Sequence, residues 1–121
     1  MANRVRVLVV DDDAEMRGLL VRELHGEGYD VADAADGSGA ERACRARLFD
    51  VILMDNNMPG QDGLDVLPDL RKICPHTPII MMTAFGDAPW HVEATAKGAA
   101  DFLVKPFRID ELTSAIKRAL A

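Results

Sequence analysis

Two textures of apolar residue alternate along this chain, and that alternation restricts the fold more than any other feature. Short, nearly unbroken runs occur at Val5–Val10 (interrupted by Arg6), Val51–Met54, Ile79–Met82 and Phe102–Val104. Runs of this length suit strands buried on both faces, as in a parallel sheet. Between them lie longer segments with helical spacing. Met16, Leu19, Leu20 and Leu24 form one stripe, and Leu112, Ala115, Ile116, Ala119 and Leu120 form another. Tyr29–Ala34 alternates more strictly and is expected to be a further strand. Strands alternating with helices need crossover connections, hence a parallel sheet covered on both sides. The expected fold is α/β: a five-stranded parallel sheet in a doubly wound (βα)5 arrangement with helices on both faces.

Turn and cap residues agree with this reading. Gly26 and Gly28 are expected to end the first helix and Gly98 the fourth, each with a positive φ that a Cβ would oppose. Asp36 and Asp87 stand where N-caps belong, and Pro89 falls in a first turn, where no backbone donor is missed. Pro68 conflicts with the helical segment Leu64–Ile73, because a helix-interior proline costs about 3 kcal/mol. That helix is expected to start late, near Asp65, or to bend at Pro68.

Length and composition narrow the class of protein. At 121 residues the chain fits one domain over 1–121, with no linker, internal repeat or biased segment. Its 49% hydrophobic content is too high for a disordered chain. No apolar run approaches the ~20 residues of a membrane span. Met1-Ala2-Asn3-Arg4 lacks a secretory start, so the expected location is cytoplasmic, away from membranes. A net charge of −6 argues against direct nucleic-acid binding by this domain. Cys44 and Cys74 have neither CxxC spacing nor a histidine at ligand distance, so they read as packed or half-exposed thiols in a reducing compartment. His25, His76 and His91 share no ligand spacing and read as surface residues, and Trp90 as a packing or interface residue.

Ligands of open parallel sheets collect beyond the carboxyl ends of the strands. The first strand runs into Asp11-Asp12-Asp13, the third into Asp55, the fourth into Thr83-Ala84 and the fifth into Lys105-Pro106. The fold would gather three or four carboxylates, a hydroxyl and an ammonium on one rim. Carboxylates crowded together repel and raise one another's pKa, so a divalent cation is the natural neutraliser. All-oxygen donors select Mg²⁺, Mn²⁺ or Ca²⁺, and an incomplete carboxylate set suits Mg²⁺ bridging to a phosphoryl group. Aspartate is a nucleophile for phosphoryl transfer, and Asp55 is the candidate, with Lys105 balancing charge and Thr83 donating a hydrogen bond. Each residue also has an ordinary explanation. Asp12-x-x-Glu15 reads as a capping box, Asp13 as a cap or solvated first-turn acid, and Asp55 through Gly60 as a turn. The functional case rests on the set.

As a set, these residues resemble the receiver domains of bacterial two-component response regulators, proteins with a chemotaxis-Y-like fold. The resemblance runs from Val5 to Leu120. It is carried by Val-Leu-Val-Val-Asp-Asp-Asp at 7–13, Ile-Leu-Met-Asp-Asn-Asn-Met-Pro-Gly at 52–60 and Asp62-Gly63-Leu64. It continues through Pro-Ile-Ile-Met-Met-Thr-Ala at 78–84, Gly98-Ala99 and Phe-Leu-Val-Lys-Pro-Phe at 102–107. The stretch Met82–Phe107 looks most like receivers attached to nitrogen-regulation-type transcription activators.

The resemblance implies a flavodoxin-like strand order 2-1-3-4-5 and a phosphoprotein that signals through an aspartyl phosphate. It implies Asp55 as phosphoacceptor from a histidine kinase or phosphotransfer protein. Asp11, Asp12, Asp55 and the backbone carbonyl of Asn57 would hold Mg²⁺. Lys105 and the Ala84 N–H would contact the phosphoryl oxygens, and the Lys105–Pro106 peptide would be cis. Thr83 and Phe102 would form the switch, acting on an output domain or partner through the face of the fourth helix, fifth strand and fifth helix, in a monomer or a phosphorylation-promoted dimer. Such a domain catalyses its own phosphorylation and dephosphorylation and is not otherwise an enzyme.

Departures from the family pattern are a Phe rather than Tyr at 102, the apolar Phe85, expected to alter the lifetime of the phosphorylated state, and Asn56, for which the sequence offers no reason. Two other functions use similar residues. A haloacid-dehalogenase-like phosphatase needs a second acid two residues after its nucleophile, where this chain has Asn57. A pseudo-receiver that only binds a partner would not need Asp11, Asp12, Asp55, Thr83 and Lys105 together.

Overall fold

The computed structural model describes residues 4–58, 60–84 and 87–121, with only the backbone described at Gln61. Phe85 lies outside the described residues. Among the described residues, the five strands of the main sheet, β1 (Arg6–Val10), β2 (Asp30–Ala34), β3 (Val51–Asp55), β4 (Ile79–Thr83) and β5 (Asp101–Val104), alternate with five helices. The helices are α1 (Ala14–Gly26), α2 (Gly37–Ala46), α3 (Gly63–Ile73), α4 (Ala88–Ala96) and α5 (Ile109–Leu120). The strands pair in parallel in the order β2-β1-β3-β4-β5. A two-residue antiparallel pairing of Asn57–Met58 with Gln61–Asp62 joins β3 to α3.

The unbroken apolar runs are the central strands because each side chain there meets a helix. β3 and β4 are buried at every position, whereas β2 and β5, at the edges, are only partly covered. Side chains alternate across the sheet with period two, and this splits the core. Leu8, Val10, Ile52, Met54, Ile79 and Met81 pack with residues of α2, α3 and α4. Val7, Val9, Val51, Leu53, Ile80 and Met82 pack with α1 and α5. The helical stripes bury Leu20, Leu24, Leu112, Ala115 and Ile116, but Leu19 and Leu120 remain 43% and 40% exposed.

Several local expectations need correction. Of the two acids read as α1 caps, Asp13 is the cap and Asp12 is not: the Asp13 carboxylate accepts from Glu15 and Met16 N–H. Gly26 is the last helical residue, and the left-handed turn falls to Gly28 alone, at φ 93°. Helix α3 begins at Gly63 rather than near Asp65 and carries Pro68 in its interior. Burial of Leu64, Val66, Leu67 and Leu70 offsets that proline. Asp36 and Asp87 do cap α2 and α4. Cys44 and Cys74 are both buried in one core cluster, and burial, with Cys74 and Glu41 nearby, pushes the Cys44 thiol up to about 12.

Candidate functional site

The chain runs outward from β1 to β2 on one side and to β3 on the other, so the carboxyl ends of β1 and β3 flank the point where strand order reverses. Asp11 follows β1 directly, and Asp55 is the last residue of β3. Asp11 is fully buried and Asp55 is 4% exposed, while Asp12 is open to solvent. One carboxylate oxygen from each of the three lies within 4.8 Å of the others. Asp13 does not join them, because it is spent on the α1 cap.

Lys105 reaches this cluster from the end of β5. Its Nζ donates to Asp55 Oδ1 at 2.8 Å and stands 3.6 Å from Asp11 Oδ2, an ion-pair distance too long for a hydrogen bond. The Lys105–Pro106 peptide is cis, and the Lys105 N–H donates to the Thr83 carbonyl at 2.7 Å. Thr83, the last residue of β4, is fully buried, and Ala84 follows it at the surface. Asn57 stands exposed in the short pairing after β3.

The electrostatics follow from burial. Burial raises the Asp11 pKa above the ordinary 3.8; the Asp55 and Asp12 carboxylates raise it further, against the Asp13 N–H bond and Lys105. Burial alone would lower Lys105, but its hydrogen bond to Asp55 and the Asp11 and Asp55 charges outweigh that and hold it above 10.5. Three carboxylates gathered beside one ammonium leave an excess of acidic groups, and among the described residues Asp11 Oδ2 is buried without a hydrogen-bond partner. An all-oxygen donor set with that excess fits a hard divalent cation.

The sequence did not show what three residues do here. Gly63 brings α3 against the end of β3, where an added Cβ would lie 2.7 Å from the Asp55 carbonyl oxygen and 2.8 Å from Met81 Cε. Arg17 bonds the Asp11 carbonyl. His91, expected at the surface, instead stacks on Phe102, with ring centroids 4.4 Å apart and planes 1° from parallel. Trp90 meets the same Phe102 edge-on at 5.3 Å, so the aromatic at 102 sits among rings on α4. The i, i+1 position of Trp90 and His91 gives no periodic signal for a contact with a distant strand.

The model of the response regulator receiver domain family matches residues 7–117. The chain belongs to that family. The transcriptional regulatory protein ZraR of Salmonella typhimurium is 39% identical over 118 residues, covering 98% of this chain and 27% of that protein. The DNA-binding transcriptional regulator NtrC of Escherichia coli K12 is 40% identical over 115 residues, covering 95% of this chain and 24% of the relative. The receiver thus spans about a quarter of these relatives' length. Among solved structures, the chemotaxis protein CheY4 of Vibrio cholerae superposes with a TM-score of 0.93 at 35% identity, covering 98% of this chain and all of that one. Receiver domains are signalling switches governed by phosphorylation, and this one has their parallel five-stranded fold.

Proposed function

We propose that residues 1–121 form a single phosphoacceptor domain in which Asp55 takes a phosphoryl group from a phosphohistidine of a kinase or phosphotransfer protein. The observation that carries this reading is the Lys105 ammonium set 2.8 Å from Asp55 Oδ1 and 3.6 Å from Asp11 Oδ2. In the transfer, an Asp55 oxygen forms the new P–O bond as the P–N bond breaks, and the imidazole nitrogen leaves with the electron pair and takes up a proton. Asp11, Asp12, Asp55 and the Asn57 carbonyl would hold Mg²⁺, which supplies charge neutralisation at the phosphoryl oxygens.

The remaining residues act on the product. Phosphorylation adds about −1.5 to −2 charge at one point. Lys105 then serves a phosphoryl oxygen as well as a carboxylate, the Ala84 N–H adds a second donor, and a charge-assisted bond from the Thr83 hydroxyl forms with the phosphoryl group present. These contacts exist in one state only, which is the condition for shifting a two-state equilibrium. The shift runs through Phe102 to the α4-β5-α5 face, where Val92 and Val104 are exposed, and so to an output domain or partner protein. The setting we infer is cytoplasmic; among the described residues no helix is long and apolar enough to cross a membrane. The domain is read as a monomer or a phosphorylation-promoted dimer that leaves nucleic-acid contacts to other domains.

Acetyl phosphate with Mg²⁺ tests the chemistry. A stoichiometric phosphoryl mass adduct that hydroxylamine removes, and that Asp55→Ala abolishes, is expected. Sustained turnover of phosphate esters would instead mark a phosphatase, and no adduct at all a pseudo-receiver.

A further inference from the structure

The acidic triplet Asp11-Asp12-Asp13 is tied down by a closed ring of hydrogen bonds, and the member that closes it is Arg17. Strand β1 ends at Val10, so the ladder satisfies Asp11 on one side only. Its N–H donates to the Ala34 carbonyl at 3.1 Å, while its own carbonyl lies beyond the last paired residue. Asp11 is fully buried, and a buried carbonyl needs a donor. Arg17 supplies it: Nη1 donates to the Asp11 carbonyl at 2.7 Å, a charge-assisted bond. The same guanidinium donates through Nε to Asp33 Oδ2 at 2.8 Å, which fixes its plane from the neighbouring strand β2. The other links are local. Asp13 N–H donates to Asp11 Oδ1 at 3.0 Å, and Arg17 N–H donates to the Asp13 carbonyl at 2.9 Å. Asp12 is therefore the middle residue of a loop held at both ends.

We propose that Arg17 is the positioning residue of the divalent-cation site, holding the Asp11 backbone so that the Asp11 and Asp12 carboxylates converge on Asp55. The inference rests on the reading of that cluster as a Mg²⁺ site. Its sign separates it from a simple charge effect. Arg17 is a cation near the acids, so if it acted only through its field, removing it would strengthen cation binding. A positioning role requires the opposite. Lysine keeps the charge but lacks the rigid fork that grips the Asp11 carbonyl and Asp33 together.

Calorimetric titration of the whole chain with Mg²⁺ alone decides the matter. Arg17→Ala is expected to weaken affinity about tenfold, the scale at which outer residues tune metal sites, with Arg17→Lys falling between it and the unaltered protein. Thr77→Val is the control: it removes a buried hydrogen bond to the Phe49 carbonyl before the start of β4 and is expected to leave affinity unchanged. If Arg17→Ala does not fold, Arg17→Lys carries the test, because a pure field effect predicts no change for it. Equal or tighter binding by the Arg17 variants, or equal weakening by Thr77→Val, would overturn the positioning role. No Mg²⁺ binding by the unaltered protein would overturn the metal reading itself.

Discussion

The two ends of the same sheet carry the same kinds of residue and do different things with them. At the amino-terminal edge, Arg6 faces Asp30 at 3.8 Å with side chains 51% and 44% exposed, and its N–H donates to Asp50. At the carboxyl edge, Lys105 faces Asp55 and Asp11, whose side chains are 6% and 1% exposed. Water screens the first set, so its ions gain little from one another. The second set is taken from water by the ends of β1 and β3, so its charges must find partners in the protein or in a bound ion. Acid–base pairs alone do not make a site; their depth in the sheet does.

Three substitutions would break this comparison if it is wrong. Removing the lysine should have the largest effect. Lys105→Ala leaves two buried carboxylates without their counter-ion and should cost about 3 kcal/mol in Mg²⁺-free urea unfolding, the low end for a broken buried pair because the lysine is partly solvated. A loss no larger than that of a surface substitution would show that the rim is wet.

The second prediction concerns pH. Because burial raises Asp11 above 3.8, its contribution to stability is fully present below that value and is lost as pH climbs through its raised folded value. Measured without Mg²⁺, the chain should therefore lose stability relative to Asp11→Asn as pH rises from the acid range to neutrality, and added Mg²⁺ should recover it. Parallel curves for the two proteins would refute the assignment. The smallest effect belongs to the other edge: Asp30→Asn should change unfolding free energy by less than about 0.5 kcal/mol, with or without Mg²⁺.

Much of the architecture was legible because burial leaves a repeating mark. Val51–Met54 and Ile79–Met82 are apolar at every position since helices cover both faces, and such runs are the mark of a parallel sheet. Asp55 was legible too, as a lone acid ending such a run. The capping residue of α1 was not, because Asp12 and Asp13 are chemically identical and only the backbone at Asp13, φ −75° and ψ 109°, selects one of them. Nor could Pro68 be placed, since a proline's local cost is visible in sequence while the burial of Leu64, Val66, Leu67 and Leu70 that offsets it is a tertiary quantity.

The amino-acid order by itself determined the strand–helix alternation, the strand ends and the residues that fall there, because period and polarity are local properties of a chain. Tertiary structure alone decided how close those groups come and which others join them. Lys105 stands 50 residues from Asp55, Arg17 spans from α1 to Asp33 on β2, and His91 on α4 stacks on Phe102 of β5. Such contacts leave no period in the sequence, since they are set by the order in which parallel strands lie side by side and by how much water reaches the ends they share.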